Sequence, residues 1–298
     1  RVAYLYGLKH PDKIHRSAMI GVTPPGHFGW DPQTIDRQIR HYASLWSEKQ
    51  PLHTGNNDLH HIITTVLENM PQHWLLFDIN TDKVKLATFI SLYHRNGAAQ
   101  VFEAYKAAHE GDPSGLAVLS KAYDLFFHSS VIWGDFAAKT MSADFDDSQD
   151  YLNDTDSDDT VMGAPLNRLA WGSLAESNWP RNQIPEQFRK ARMSHVETLI
   201  ISGSVDFSTP AENATTALLP YLPNGQQVIM SELGHTKDIY RIMPQESERL
   251  LLDFFNNGQI NKENIPYIPM SFDLDWSWSN LAKIAVTVIS SLPLLLLL

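Results

Sequence analysis

TLIISGSVDFSTP at residues 198–210 and SELGHTKD at residues 231–238 carry the reading of this chain. In the first stretch an apolar run opened by Val196 reads as a strand that ends on Gly203 and a short loop bearing Asp206. A helix at residues 210–219 and a second strand, QVIMS at residues 227–231, lead into the other stretch, where Gly234 precedes His235. Strand, helix and strand in that order predict parallel neighbours joined by a right-handed crossover, so both loops should emerge at one edge of the sheet. A carboxylate and an imidazole at a common edge suit nucleophilic catalysis. The carboxylate fixes the ring in one tautomer, and the ring takes the proton of a hydroxyl nucleophile. A helix at residues 245–255 closes this part of the chain.

Working outward, RSAMIGV at residues 16–22 reads as a buried strand preceded by a helix, a second αβ unit. Between the two units, residues 24–192 are patterned mostly as helices, at 34–49, 58–70, 83–94, 98–110 and 113–127. The expected class is therefore α/β, with a mainly parallel sheet interrupted by a helical insertion. Residues 144–159 are acidic and poor in apolar side chains, which predicts a solvated loop.

The pattern I-S-G-x-x-D-x-x-T-P with L-G-H ending the next strand resembles α/β-hydrolases of the prolyl- and tripeptidyl-aminopeptidase-like group. VAYLYGLKHPDKIHRSAMIGVTPP at residues 2–25 is similar to the helix and strand that follow the nucleophile elbow in those enzymes, and WGDFA at residues 133–137 is similar to part of their lid. The resemblance implies an α/β-hydrolase fold with a partial parallel sheet and a large lid. It implies hydrolase core at residues 1–24 and 193–257, lid at 25–192, and a tail at 258–298. It also implies Asp206 as triad acid, His235 as base, and an acyl-enzyme route on peptides with a free N-terminus or on small esters and amides, with no cofactor. The sequence departs from the group in one respect: no G-x-S-x-G occurs in it. The expectation is that the nucleophile lies upstream of Arg1, and that the polypeptide of residues 1–298 is an inactive piece. Ser202, Ser204 and Ser208 lack the glycine-flanked turn that would expose a nucleophile. Two rival readings are a non-catalytic binding protein on the same scaffold and an epoxide or haloalkane hydrolase with an aspartate at the elbow. For Asp206 the competing structural role is a loop aspartate that caps the following helix.

Composition narrows the partners. A formal charge of −11 with no basic stripe argues against nucleic acid. The absence of cysteine excludes disulfides and thiolate metal sites. Asp154, Asp156 and Asp158 imitate the start of a calcium loop, but Asp159 stands where the turn glycine belongs and Pro165 where the bidentate glutamate belongs. His53, His60 and His61 lack zinc-site spacing, so no metal is expected. Asn153 and Asn213 begin formal glycosylation sequons. If the substrate is an amino-terminal peptide, Glu103, Asp135 and Glu176 are candidates for meeting its ammonium group. Trp30, Trp46, Trp74, Trp133, Trp171 and Trp179 are candidates for an apolar substrate wall or for lid core. Residues 284–298 are uncharged and end in five leucines, which suggests a membrane association through the tail and favours an exported or anchored protein.

Overall fold

The computed structural model describes residues 1–49, 58–127, 131–151 and 160–295. The calcium-like loop, His53 and the sequon at Asn153 lie outside the described residues. The chain is a mixed α/β protein with a small parallel sheet of three strands. It divides into two compact units that interleave along the sequence: Arg1–Gln38, Tyr93–Arg95 and Ile132–Met270 form the first, and Ile39–Leu92, Asn96–Val131 and Ser271–Leu298 the second.

The first unit contains the sheet. Helix α1 (Val2–Lys9) leads into β1 (Arg16–Ile20), which pairs in parallel with β4 (Glu197–Gly203), and β4 in turn pairs in parallel with β5 (Gly225–Met230). Residues Met19 and Ile20 of β1 stand opposite Ile200 and Ile201 of β4. Alternation along the central strand explains why its whole run is apolar. Leu199 and Ile201 face a cluster with Val228, Met230, Leu250 and Phe254, while Ile200 faces Tyr4, Met19, Ala214 and Leu218. A strand covered on both faces needs hydrophobic residues at every position rather than every second one. The first cluster includes helices α9 (Thr236–Ile242) and α10 (Pro244–Asn257), and the second includes α1 and α8 (Ala211–Ala217). α10 stops at Gly258, whose φ of 70° is the left-handed conformation that closes helices at low cost.

The second unit is helical. It holds α3 (Leu59–Glu68), a short hairpin of β2 (His73–Trp74) and β3 (Phe77–Asp78), α4 (Thr81–Ser91), most of α5 (Arg95–His109), α6 (Ser114–Ala122) and α11 (Trp278–Leu295). α2 (Pro32–Lys49) passes from the first unit into the second, and α7 (Trp133–Ala143) belongs to the first. Phe89, Leu92, Phe102, Tyr105 and Leu116 are fully buried in this unit. Tyr105 is paired through its hydroxyl with Thr88 at 3.1 Å, as a buried phenol must be. α11 lies against α6 where Gly115 allows close approach, a side chain there meeting Ala104 and Ser279 at 2.7 Å. Lys283 pairs with Asp112 on the same contact. Among the described residues no helix is long and apolar enough to cross a membrane.

Candidate acid–base site

The parallel order β1–β4–β5 brings the ends of all three strands to one edge, and the loops that follow β4 and β5 are laced together there. The Val205 amide donates to the Leu233 carbonyl at 3.1 Å, the Ser204 amide to Met230 at 3.0 Å, and the Glu232 amide to the Ser204 hydroxyl at 2.8 Å. Gly203 makes this crossing possible, because a Cβ on it would fall 2.1 Å from the Leu233 carbonyl oxygen and 2.3 Å from that of Gly234.

Asp206 is completely buried, so its charge must be met from within. Oδ1 accepts the amides of Ser208 and Thr209, both at 2.9 Å. Oδ2 accepts the Thr209 hydroxyl at 2.7 Å and faces His235 Nδ1 at 2.9 Å. The capping role weighed for Asp206 is thus met in part: it ties its own loop, whereas α8 begins later, with Pro210 at its N-cap. One carboxylate does both jobs with different oxygens.

His235 is the N-cap residue of α9, in extended conformation. Its ring is about one-quarter exposed while its carboxylate partner has no exposure at all. Thr209 Oγ1 lies 3.2 Å from Nδ1, but its proton is directed to Asp206. With only acceptors left facing it, Nδ1 is assigned as the protonated nitrogen, which leaves the lone pair on Nε2. Among the described residues Nε2 makes no hydrogen bond. Gly21, just past β1, closes the other side of the ring: it has a φ of +61°, and a Cβ on it would sit 2.8 Å from His235 Cε1.

Behind the ring stands a second, unforeseen group of residues. The His235 amide donates to the Tyr93 carbonyl at 2.7 Å. Burial raises the pKa of the Tyr93 hydroxyl, against a hydrogen bond with the Ser208 side chain, so the phenol stays protonated at neutral pH. Asp238 Oδ2 accepts the amides of Gly234 at 2.9 Å and Arg95 at 2.8 Å, and His94 Nδ1 lies 3.2 Å from Asp238 Oδ1. Burial pushes the Asp238 carboxyl up, but His94 and the two amides outweigh it and hold the group below the usual carboxylate range. Glu232 is also buried, with a φ of +53°, and its carboxylate accepts the Met270 amide at 2.7 Å and the Tyr267 hydroxyl. The loop that carries His235 is therefore anchored on both sides of that residue by buried carboxylates.

The remaining candidates scatter. Asp135 is exposed and paired with Lys139, Glu176 is exposed, and Glu103 lies in the second unit with the Ser279 hydroxyl at 3.0 Å. Trp46 and Trp74 also belong to the second unit, where Trp46 meets Phe272 and Trp74 stacks on Phe77. Trp133 and Trp179 are partly solvent-exposed. Trp30 and Trp171 line a cavity of about 700 Å³ together with His27, Asp31, Tyr151 and Glu212. Neither Asp206 nor His235 lines it, although Trp30 Nε1 donates to the Ser208 carbonyl at 3.0 Å and so ties its wall to the loop that carries Asp206. His60 and His61 form no metal cluster among the described residues.

Of the residues around the ring, Thr209 and Asp238 stood in the quoted motifs without a role, and Tyr93 carried no signal at all. The sequence matches no protein-family model and is similar to no curated protein.

Proposed function

We propose that this chain is the greater part of an α/β-hydrolase-fold serine hydrolase, with the helical insertion as its lid, acting through an acyl-enzyme on peptides with a free N-terminus or on small esters and amides. The carrying observation is the contact of His235 Nδ1 with the fully buried Asp206 carboxylate at 2.9 Å, with Nε2 free of protein partners among the described residues. In this reading a serine hydroxyl gives its proton to Nε2 as it attacks the carbonyl carbon. Asp206 stabilises the resulting imidazolium, and His235 then returns the proton to the leaving group. Water repeats the cycle on the acyl-enzyme. Two backbone amides and the Thr209 hydroxyl hold the Asp206 carboxylate in place while it orients the ring.

The serine would come from residues joined to Arg1. The preference for peptides over esters rests on the resemblance in sequence alone.

The test is fluorophosphonate labelling of the protein with the residues that precede Arg1 present. Labelling that is lost in His235→Ala and sharply reduced in Asp206→Asn is expected. An intact fold that takes no label would overturn the hydrolase reading in favour of a binding protein.

A further inference from the structure

We infer that Asp238 is a positioning residue for His235, its carboxylate clamping the backbone of the base loop to the segment Tyr93–Arg95. The inference rests on the reading of His235 as a base and deepens it. A single buried oxygen, Asp238 Oδ2, receives the amide of Gly234 and that of Arg95. The next amide along the loop, that of His235 itself, goes directly to the Tyr93 carbonyl at 2.7 Å. The N–H groups of Gly234 and His235 are thus both held by one short segment, the first through Asp238 and the second without an intermediary.

A plain helix-capping role does not account for this arrangement. An acidic residue in the first turn of a helix ordinarily reaches back to the amide of the N-cap residue. Here the N-cap residue is His235, and its amide is already taken by Tyr93. Asp238 reaches one residue further, to Gly234, and outward to Arg95. The packing leaves no slack: a Cβ on Gly234 would lie 2.5 Å from the Tyr93 carbonyl oxygen and 2.7 Å from Asp238 Oδ2. Asp238 is 5% exposed, and a carboxylate desolvated to that degree is kept only where its lone pairs are filled. Release of Oδ2 frees Gly234, the residue with the widest backbone freedom, directly before the ring that must meet Asp206.

The experiment is proton and nitrogen NMR on the same protein used for the labelling. The reporters are the low-field Nδ1–H line of His235 and the hydrogen exchange of the Gly234 and Arg95 amides, referenced to amides of β4. In wild type the line should be sharp. In Asp238→Ala it should broaden away, and the two amides should lose about tenfold or more of their protection while those of β4 keep theirs. Asp238→Asn should restore both, because one amide oxygen can accept the two N–H groups that converge on Oδ2. Should Asp238→Ala not fold, Asp238→Ser, too short to reach either amide, is read by the same criteria. An unchanged Nδ1–H line in either folded variant overturns the clamp, as does an Asn variant that behaves like Ala. A wild-type protein without the line means that the Asp206–His235 pair itself is misread, a separate failure from that of the clamp.

Discussion

His235 meets Asp206 at 2.9 Å, and His94 meets Asp238 at 3.2 Å, so two His–Asp pairs share one loop region of the first unit. They differ in where the carboxylate lone pairs go. Asp206 takes its amides from its own loop and reserves Oδ2 for the Thr209 hydroxyl and the His235 ring. Asp238 puts its Oδ2 on the amides of Gly234, in its own loop, and of Arg95, far away in sequence, while its Oδ1 lies 3.2 Å from His94 Nδ1. The first arrangement holds a ring against a charge. The second holds backbone against backbone. The residue types are the same, and the surrounding donors decide which carboxylate faces a ring and which one ties backbone segments together.

The largest expected effect comes from damaging both pairs together. Gly203→Ala places a methyl group 2.1 Å from the Leu233 carbonyl, a backbone atom that cannot step aside, so we expect a loss of about 3 kcal/mol or more in denaturant unfolding and disruption of both loops. Gly21→Ala should separate the pairs. Its methyl group first meets the His235 ring and the Thr236 side chain, and its left-handed backbone costs about 1–2 kcal/mol. We expect a modest stability loss, a displaced His235 ring, and unchanged exchange at Gly234 and Arg95. Thr209→Val acts on the first pair more gently. It removes one donor from a buried carboxylate, for about 1–2 kcal/mol, and Thr209→Ser should recover most of that in the same unfolding assay.

Acid pH acts on the second pair. The Asp238 carboxyl titrates lower folded than unfolded, so the unfolded chain binds its proton first as pH falls. The stabilisation is complete above the unfolded carboxylate range and disappears as pH drops through the depressed folded value. Urea midpoints followed from about pH 6 to about pH 3 should fall more steeply in wild type than in Asp238→Asn. Parallel slopes would show that the clamp carries no such linkage.

The first pair was legible in the sequence because it hangs on strand endings. A strand buried on both faces is marked by consecutive apolar residues, as Leu199, Ile200 and Ile201 are, and the loop behind it announces itself with Gly203 and a polar cluster. The helices of the insertion were legible to within a few residues for a similar reason, since amphipathic spacing marks them. The second pair was not legible. Tyr93 and Arg95 act through a carbonyl and an amide, groups that every residue but proline supplies in full, and residues 83–94 read as one unbroken helix where α4 in fact ends at Ser91. Gly21 was visible as part of RSAMIGV, but its role depends on a ring brought in from His235, far along the chain. The interleaving of the compact units was equally hidden, because nothing in the composition at residues 93–95 separates them from their neighbours.

The central claim is that Asp206 fixes the tautomer of His235, and the imidazole nitrogen shifts of that ring test it most directly. In the neutral ring of the wild-type protein Nδ1 should carry the proton and Nε2 the lone pair, with Asp206→Asn abolishing that preference. A wild-type ring protonated on Nε2, or one whose tautomers are unaffected by Asp206→Asn, would contradict it.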